Sequence, residues 1–175
     1  GALGAVRRVH VEWLVNSYAY AERAWSWKTD AARGGGVLSL FGSHVFYVSE
    51  WLLGPVKNMR AFIAPAAAQN FAPAGSTAAE DLVYFQAEYG HEGVFSAVIG
   101  NAAPGFHLHR WTLTCEMGTV IVENTSSDYM SGFTLTIHGS ALDGESIREP
   151  QSTGDGRIAP FQRLMARFAQ AVRMG

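Results

Sequence analysis

The chain has 175 residues, 48% of them apolar and 16% charged, a composition that can bury one core and excludes a disordered tail. With 13 basic and 15 acidic side chains the net charge is −2, which removes the electrostatic ground for nucleic acid or an anionic membrane as partner. Cys115 is the only cysteine, so an intrachain disulfide and a multi-cysteine metal centre are excluded. No apolar run approaches the ~18 residues of a membrane helix. A reducing, cytoplasmic setting is the expected home.

The residues from Val6 to Val15 alternate, with Val9, Val11, Trp13 and Val15 on one face, as in a half-buried strand. Because that strand follows Gly1 almost at once, the chain is expected to be one domain, 1–175, of a longer protein. Residues 16–36 are irregular and end in Gly34-Gly35-Gly36. From Val37 to Leu53 the period changes: Leu38, Phe41, Val45, Val48 and Leu52 make the apolar stripe of a helix. Gly54-Pro55 ends it, with Gly54 expected as a left-handed cap. Strands are predicted over 56–64, 82–89, 94–99, 108–116, 119–123 and 133–138, with hairpins at 90–93 and at Met117-Gly118. A loop is predicted over 65–77 and a polar, irregular stretch over 139–156. Ile158 to Arg173 forms a second amphipathic helix, with Pro160 tolerated in its first turn.

Hairpins that follow one another without intervening helices predict an α+β fold: a mainly antiparallel open sheet with the two helices on one face. In 108–115 neither parity is fully polar. The uncovered face is therefore expected to meet a second copy, making a homo-oligomer, with the 65–77 loop as the alternative cover.

Three glycines before a helix allow close backbone approach and a set of free amide donors, although glycine clusters are commonest as plain loops. Neither GxGxxG after a strand nor GxxxxGK[ST] occurs, so a self-contained dinucleotide or triphosphate site is not expected. His44 shares a helix stripe with Leu40, Tyr47 and Trp51; on residues alone it reads as a core histidine or a functional one. His107 and His109, two apart on a strand, point the same way, but no third ligand at a defined spacing completes a metal set. His10, His91 and His138 are isolated. Cys115 reads as a small strand residue rather than a nucleophile.

Several strings, in order, resemble the C-terminal domain of the glucose–fructose oxidoreductase / inositol dehydrogenase (Gfo/Idh/MocA) family. GALGAVRRVHVEW is similar to the strand that follows that family's nucleotide-binding domain, and WKTDAARGGGVLSLFGSHVFYVSEWLLGPV to its "WR…GGGxLxDxGxHxxDxxxWLxG" helix. HRWTLTCEMGTVIVEN resembles its later hairpin and RIAPFQRLMARFAQAV its late helix. The resemblance implies hydride transfer between NAD or NADP and a sugar, cyclitol or related polyol, with an open sheet face packed on other subunits. It implies that a Rossmann domain and a final helix lie outside this chain, that the nucleotide is bound by the former, and that the isolated chain is inactive. His44 falls where the family places its general acid/base or substrate anchor, and an imidazole suits that proton transfer. Lys28, Arg33, Asn16 and Ser43 are weaker candidates for contacting a polar substrate.

Two departures stand out. The family aspartate four residues before the histidine is Leu40, and the one three residues after it is Tyr47. Loss of the first removes a carboxylate from the site, which opens an alternative: a non-catalytic sensor or regulatory scaffold built on the same fold.

Overall fold

Alternating valines place the first strand at the centre of a sheet. The computed structural model describes residues 3–90, 93–128, 131–139, 145–148 and 154–174. Its strands are β1 (Val6–Asn16), β2 (Val56–Ile63), β3 (Leu82–Tyr89), β4 (Val94–Gly100), β5 (Ala102–Cys115), β6 (Gly118–Asn124), β7 (Thr134–Gly139) and β8 (Glu145–Arg148). They lie in the order β2-β3-β4-β1-β5-β6-β7-β8. Only the β1–β4 pair is parallel; the other neighbours are antiparallel. The mainly antiparallel α+β sheet expected from the hairpins is thus present.

A short helix α1 (Tyr18–Ala21) follows β1, and a π-helical turn (Leu38–Gly42) runs directly into α2 (Ser43–Leu53). Val45 of α2 belongs to one buried cluster with Val9, Val11, Val83, Phe85, Phe95 and Ile99, each 1% exposed or less. Burying such side chains contributes roughly 1.5–3 kcal/mol each and makes this layer the core. The apolar stripe continues through Leu53 rather than Leu52, which is 42% exposed. A π turn holds more residues than an α turn, so the stripe read at regular α spacing drifts by one position by the end of the helix. Gly54 has φ +80° but ψ −170°, a glycine-only extended conformation and not the expected left-handed cap, while its amide still closes on the Glu50 carbonyl.

The structure differs from the predicted elements in three further places. β5 starts at Ala102, six residues early, and a register irregularity beside Val15 and Asn16 takes up Pro104-Gly105, with Gly105 at φ +70°. β8 lies within the stretch expected to be irregular; it pairs with β7 at the sheet edge, where a strand needs little apolar content of its own. The second helix forms, as α3 (Ile158–Met174), but does not cover the sheet: Ile158, Phe161, Met165, Phe168 and Val172 are 41–66% exposed. The hairpin expected at 90–93 joins β3 and β4, and its His91 and Glu92 lie outside the described residues.

On the face away from α2, Arg110 of β5 makes ion pairs with Glu12 of β1 and Glu123 of β6, and His10 is hydrogen-bonded to Ser96 at 2.8 Å. This face is half-buried and mixed in polarity. The 65–77 loop packs elsewhere, against the 20–30 segment through Tyr20–Phe71, Arg23–Asn70 and Asp30–Ala78.

Candidate functional site

The triple glycine is a clamp. Gly34, Gly35 and Gly36 donate their amides to the carbonyls of Ala31, Asp30 and Lys28. These donors are therefore engaged within the loop, and the free amide set that would cradle a phosphate is not there. A Cβ on Gly35 would sit 2.4 Å from the Trp27 carbonyl oxygen and 2.6 Å from that of Lys28, so only glycine lets the two strings run this close. Gly36, at φ +107°, lies against the Glu80 carboxylate. Glu80 satisfies the helix start: its carbonyl accepts from the Val37 amide and its Oε1 from Leu38. The loop thereby fixes Lys28 on one side and launches the His44 helix on the other.

The helix is seated by its π turn. A Cβ on Gly42 would come within 3.3 Å of Leu38 Cδ2 and 3.4 Å of Ile99 Cδ1, so the glycine lets the backbone settle onto β4. Two residues later His44 is exposed and faces a cavity of about 1010 Å³ on the α2 side of the sheet. Lys28, His44 and Asn16 all line this cavity, which brings three of the expected contacts into one place. Arg33 and Ser43 are not among its walls: Arg33 ends an exposed 3-10 turn, and the Ser43 hydroxyl donates to the Ser39 carbonyl. Leu40, where the family pattern has a carboxylate, does line it, and among the described residues no Asp or Glu does. A smaller cavity of about 320 Å³ near Tyr89 and Val94 is lined mainly by apolar groups.

An aromatic stack forms the floor. Trp13 lies parallel between Phe41 (4.3 Å) and His109 (4.1 Å), with His44 6.2 Å away and tilted. Trp13 and His109 are cross-strand partners on β1 and β5, so the stack ties the His44 helix to the sheet. The indole N–H of Trp111 donates to His109 Nε2 at 3.1 Å, so that nitrogen is unprotonated and the neutral ring carries its proton on Nδ1. His109 Nδ1 is buried without a partner, as is Asn101 Oδ1. Burial, and secondarily the charge of nearby His44, push the His109 pKa down to about 4.

With Nε2 engaged, His109 is a poor metal ligand, and among the described residues no group of three His, Cys, Asp or Glu could hold a metal. His107 faces the cavity through its pairing with Val15. Trp13 and His109 were not legible as site residues, because only the β1–β5 register brings them together.

The lowered pKa has a consequence for stability. Between pH about 6.5 and about 4 the unfolded chain takes up a proton at His109 that the folded chain refuses, so stability falls as pH falls through that window. The full shift corresponds to roughly 3 kcal/mol, trimmed to about 2 kcal/mol by residual solvent contact. Denaturant melts of wild type and His109→Gln at neutral pH and near pH 4 check this. The wild type is expected to lose more stability on acidification than the variant.

A family model described as the GFO/IDH/MocA C-terminal domain matches residues 1–121. An uncharacterized oxidoreductase of Synechocystis sp. is 28% identical over 184 aligned residues, which span 98% of this chain and 50% of that protein. Among solved structures, levoglucosan dehydrogenase in complex with NADH and levoglucosan superposes with TM-score 0.67 at 15% identity, covering 90% of this chain and 47% of the enzyme. An inositol dehydrogenase homolog from Azotobacter vinelandii, complexed with NAD+, superposes with TM-score 0.62 at 19% identity, covering 89% of this chain and 40% of that one. The chain thus spans about half the length of the relatives it matches.

Proposed function

Since the chain belongs to the GFO/IDH/MocA C-terminal-domain family, we propose that it supplies the substrate wall and the oligomer surface of an NAD- or NADP-dependent oxidoreductase acting on a sugar, cyclitol or related polyol. The observation that carries this reading is the convergence of His44, Lys28 and Asn16 on one cavity floored by aromatic rings. In it His44 receives the proton of the reacting hydroxyl, or returns it in the reverse direction. Lys28 and Asn16 hold ligand oxygens, and the aromatic floor takes the C–H face of a ring.

This chain's own glycine loop does not fit a nucleotide phosphate, because its amides are used internally. The nicotinamide, which supplies the hydride acceptor when bound, is therefore held by a Rossmann half beyond this domain, and the domain alone is inactive. A second copy covers the mixed open face. Among the described residues no helix is long and apolar enough to cross a membrane, and a cytoplasmic setting fits the single, half-buried cysteine.

Leu40 on the cavity wall favours a second reading, a sensor or regulatory scaffold that binds the same class of ligand without turnover. One experiment separates the two. The full-length parent is incubated with NAD or NADP together with levoglucosan or myo-inositol, and nucleotide reduction is followed spectrophotometrically. Polyol-dependent reduction is expected. Ligand binding without reduction would transfer the assignment to the regulatory reading. Light scattering on the same material is expected to give more than a monomer, and a monomer would remove the open-face interface.

A further inference from the structure

The polar inventory of the cavity wall is smaller than its residue types suggest. Asn124 is consumed by its own loop: its amide nitrogen donates to the carbonyls of Asp128 and Ser131, and its oxygen accepts from Ser126. Thr29 donates to the Ser26 carbonyl. Tyr20 is hydrogen-bonded to the buried Asp81, whose negative charge and the burial of the ring raise the phenol's pKa, so Tyr20 stays protonated. His109 Nε2 is taken by Trp111.

Apart from Lys28, what remains are neutral groups, among them Asn16, Ser17, His107, Ser127 and the Oδ1 of Asn101, which is buried without a partner. A fully hydroxylated, neutral polyol presents many O–H donors, and each needs an acceptor once water is excluded. Carboxylates are the strongest such acceptors, and among the described residues none lines this cavity. Among the described residues Lys28 is the one permanently charged group on the wall, and no carboxylate pairs with it; its ammonium sits 5.9 Å from the Trp27 ring centroid. Alongside His107, His109 and Asn124, the β5–β6 part of the wall carries the apolar Trp111, Leu113, Val120 and Val122, with Phe133 and Val48 also on the wall. The wall thus combines one cation with a cluster of apolar side chains.

Resting on the reading of the cavity as a sugar-type site, we infer that its substrate is an anionic, amphipathic sugar derivative: a uronate-type carboxylate received by Lys28 and an apolar substituent lying against the Trp111–Val122 cluster. The loop geometry supports the role of Lys28. Gly35 and Gly36 pin its backbone, so the side chain reaches the cavity wall from a rigid segment rather than a free loop.

The test uses this chain and a matched pair of probes, phenyl β-D-glucuronide and phenyl β-D-glucoside, which share ring and aryl group and differ in the carboxylate. Binding is read by quenching of tryptophan fluorescence, since Trp13 and Trp111 line the cavity. The glucuronide is expected to bind roughly threefold to fivefold tighter at low ionic strength, the range for an exposed charge pair. High salt and Lys28→Met should both close that gap, the variant weakening the glucuronide by more than it weakens the glucoside. A glucoside that binds as tightly as the glucuronide overturns the anionic assignment and leaves the sugar-site reading in place. A preference that survives Lys28→Met removes Lys28 as the receiving group. If neither probe quenches, the sugar-site reading falls, and the inference with it.

Discussion

His44→Ala in the full-length parent is expected to lower turnover by about 10²- to 10⁴-fold, the range for losing a positioned general acid/base. His44 is solvent-exposed at the cavity and contacts the stack only through its tilted approach to Trp13, so its removal leaves the core around Val45 and Phe85 intact. The fall should therefore appear in kcat, with KM little changed and the melting temperature within a few degrees of wild type. The pH–rate profile should lose the limb that belongs to the imidazole, and His44→Gln, which keeps a hydrogen-bonding group but cannot shuttle a proton, should be nearly as slow. Unchanged turnover in His44→Ala would end the acid/base assignment and leave His44 at most a wall of the pocket.

Gly35→Ala is expected to destabilise the domain by on the order of 3–4 kcal/mol, among the larger effects a single methyl can have. The new carbon would meet backbone and not the end of a flexible side chain: Trp27 O at 2.4 Å, Lys28 O at 2.6 Å and Lys28 C at 2.7 Å. Relief requires the 27–28 segment to part from the glycine loop. That would break the Gly36–Lys28 hydrogen bond and disturb the Glu80 contacts at the start of the His44 helix. For a domain of this size the loss corresponds to a drop in melting temperature of roughly 10 °C. Gly34→Ala supplies the control. Nothing lies within 4 Å of its added carbon, so its only penalty is the left-handed backbone at φ +73°, about 1 kcal/mol. Equal losses in the two variants would mean that the close approach at Gly35 does not matter.

Local pattern carries much of this molecule. Period-2 alternation at Val9, Val11 and Trp13 and the helical spacing of Leu38, Phe41 and Val45 are set by near neighbours along the chain and found where they are expected, and the hairpin turn expected at Met117-Gly118 forms one residue earlier, at Glu116-Met117. His44 and Lys28 are named by a motif, and a motif is local as well. Where pattern misled, the controlling interaction was distant or backbone-specific. The π turn shifted the stripe from Leu52 to Leu53, because the helix there packs against β4 through Gly42. β8 acquired its strand by pairing with β7, and four polar-rich residues do not announce that. The glycine amides looked free because the carbonyls that consume them belong to the segment the chain folds back upon.

The sequence by itself determined the α+β class, the family and three of the side chains that face the cavity, His44, Lys28 and Asn16, since these depend on periodicity and on residue types at short spacing. Only the tertiary structure decided that Trp13 and His109 stack beside His44, that Arg33 and Ser43 stand outside the cavity, that α3 leaves its apolar stripe uncovered, and that Lys28 is the one permanent charge among the described residues of the wall. The reason is register. Partners such as Trp13 and His109 are far apart along the chain and meet only through the pairing of β1 with β5, a long-range contact that no local pattern encodes.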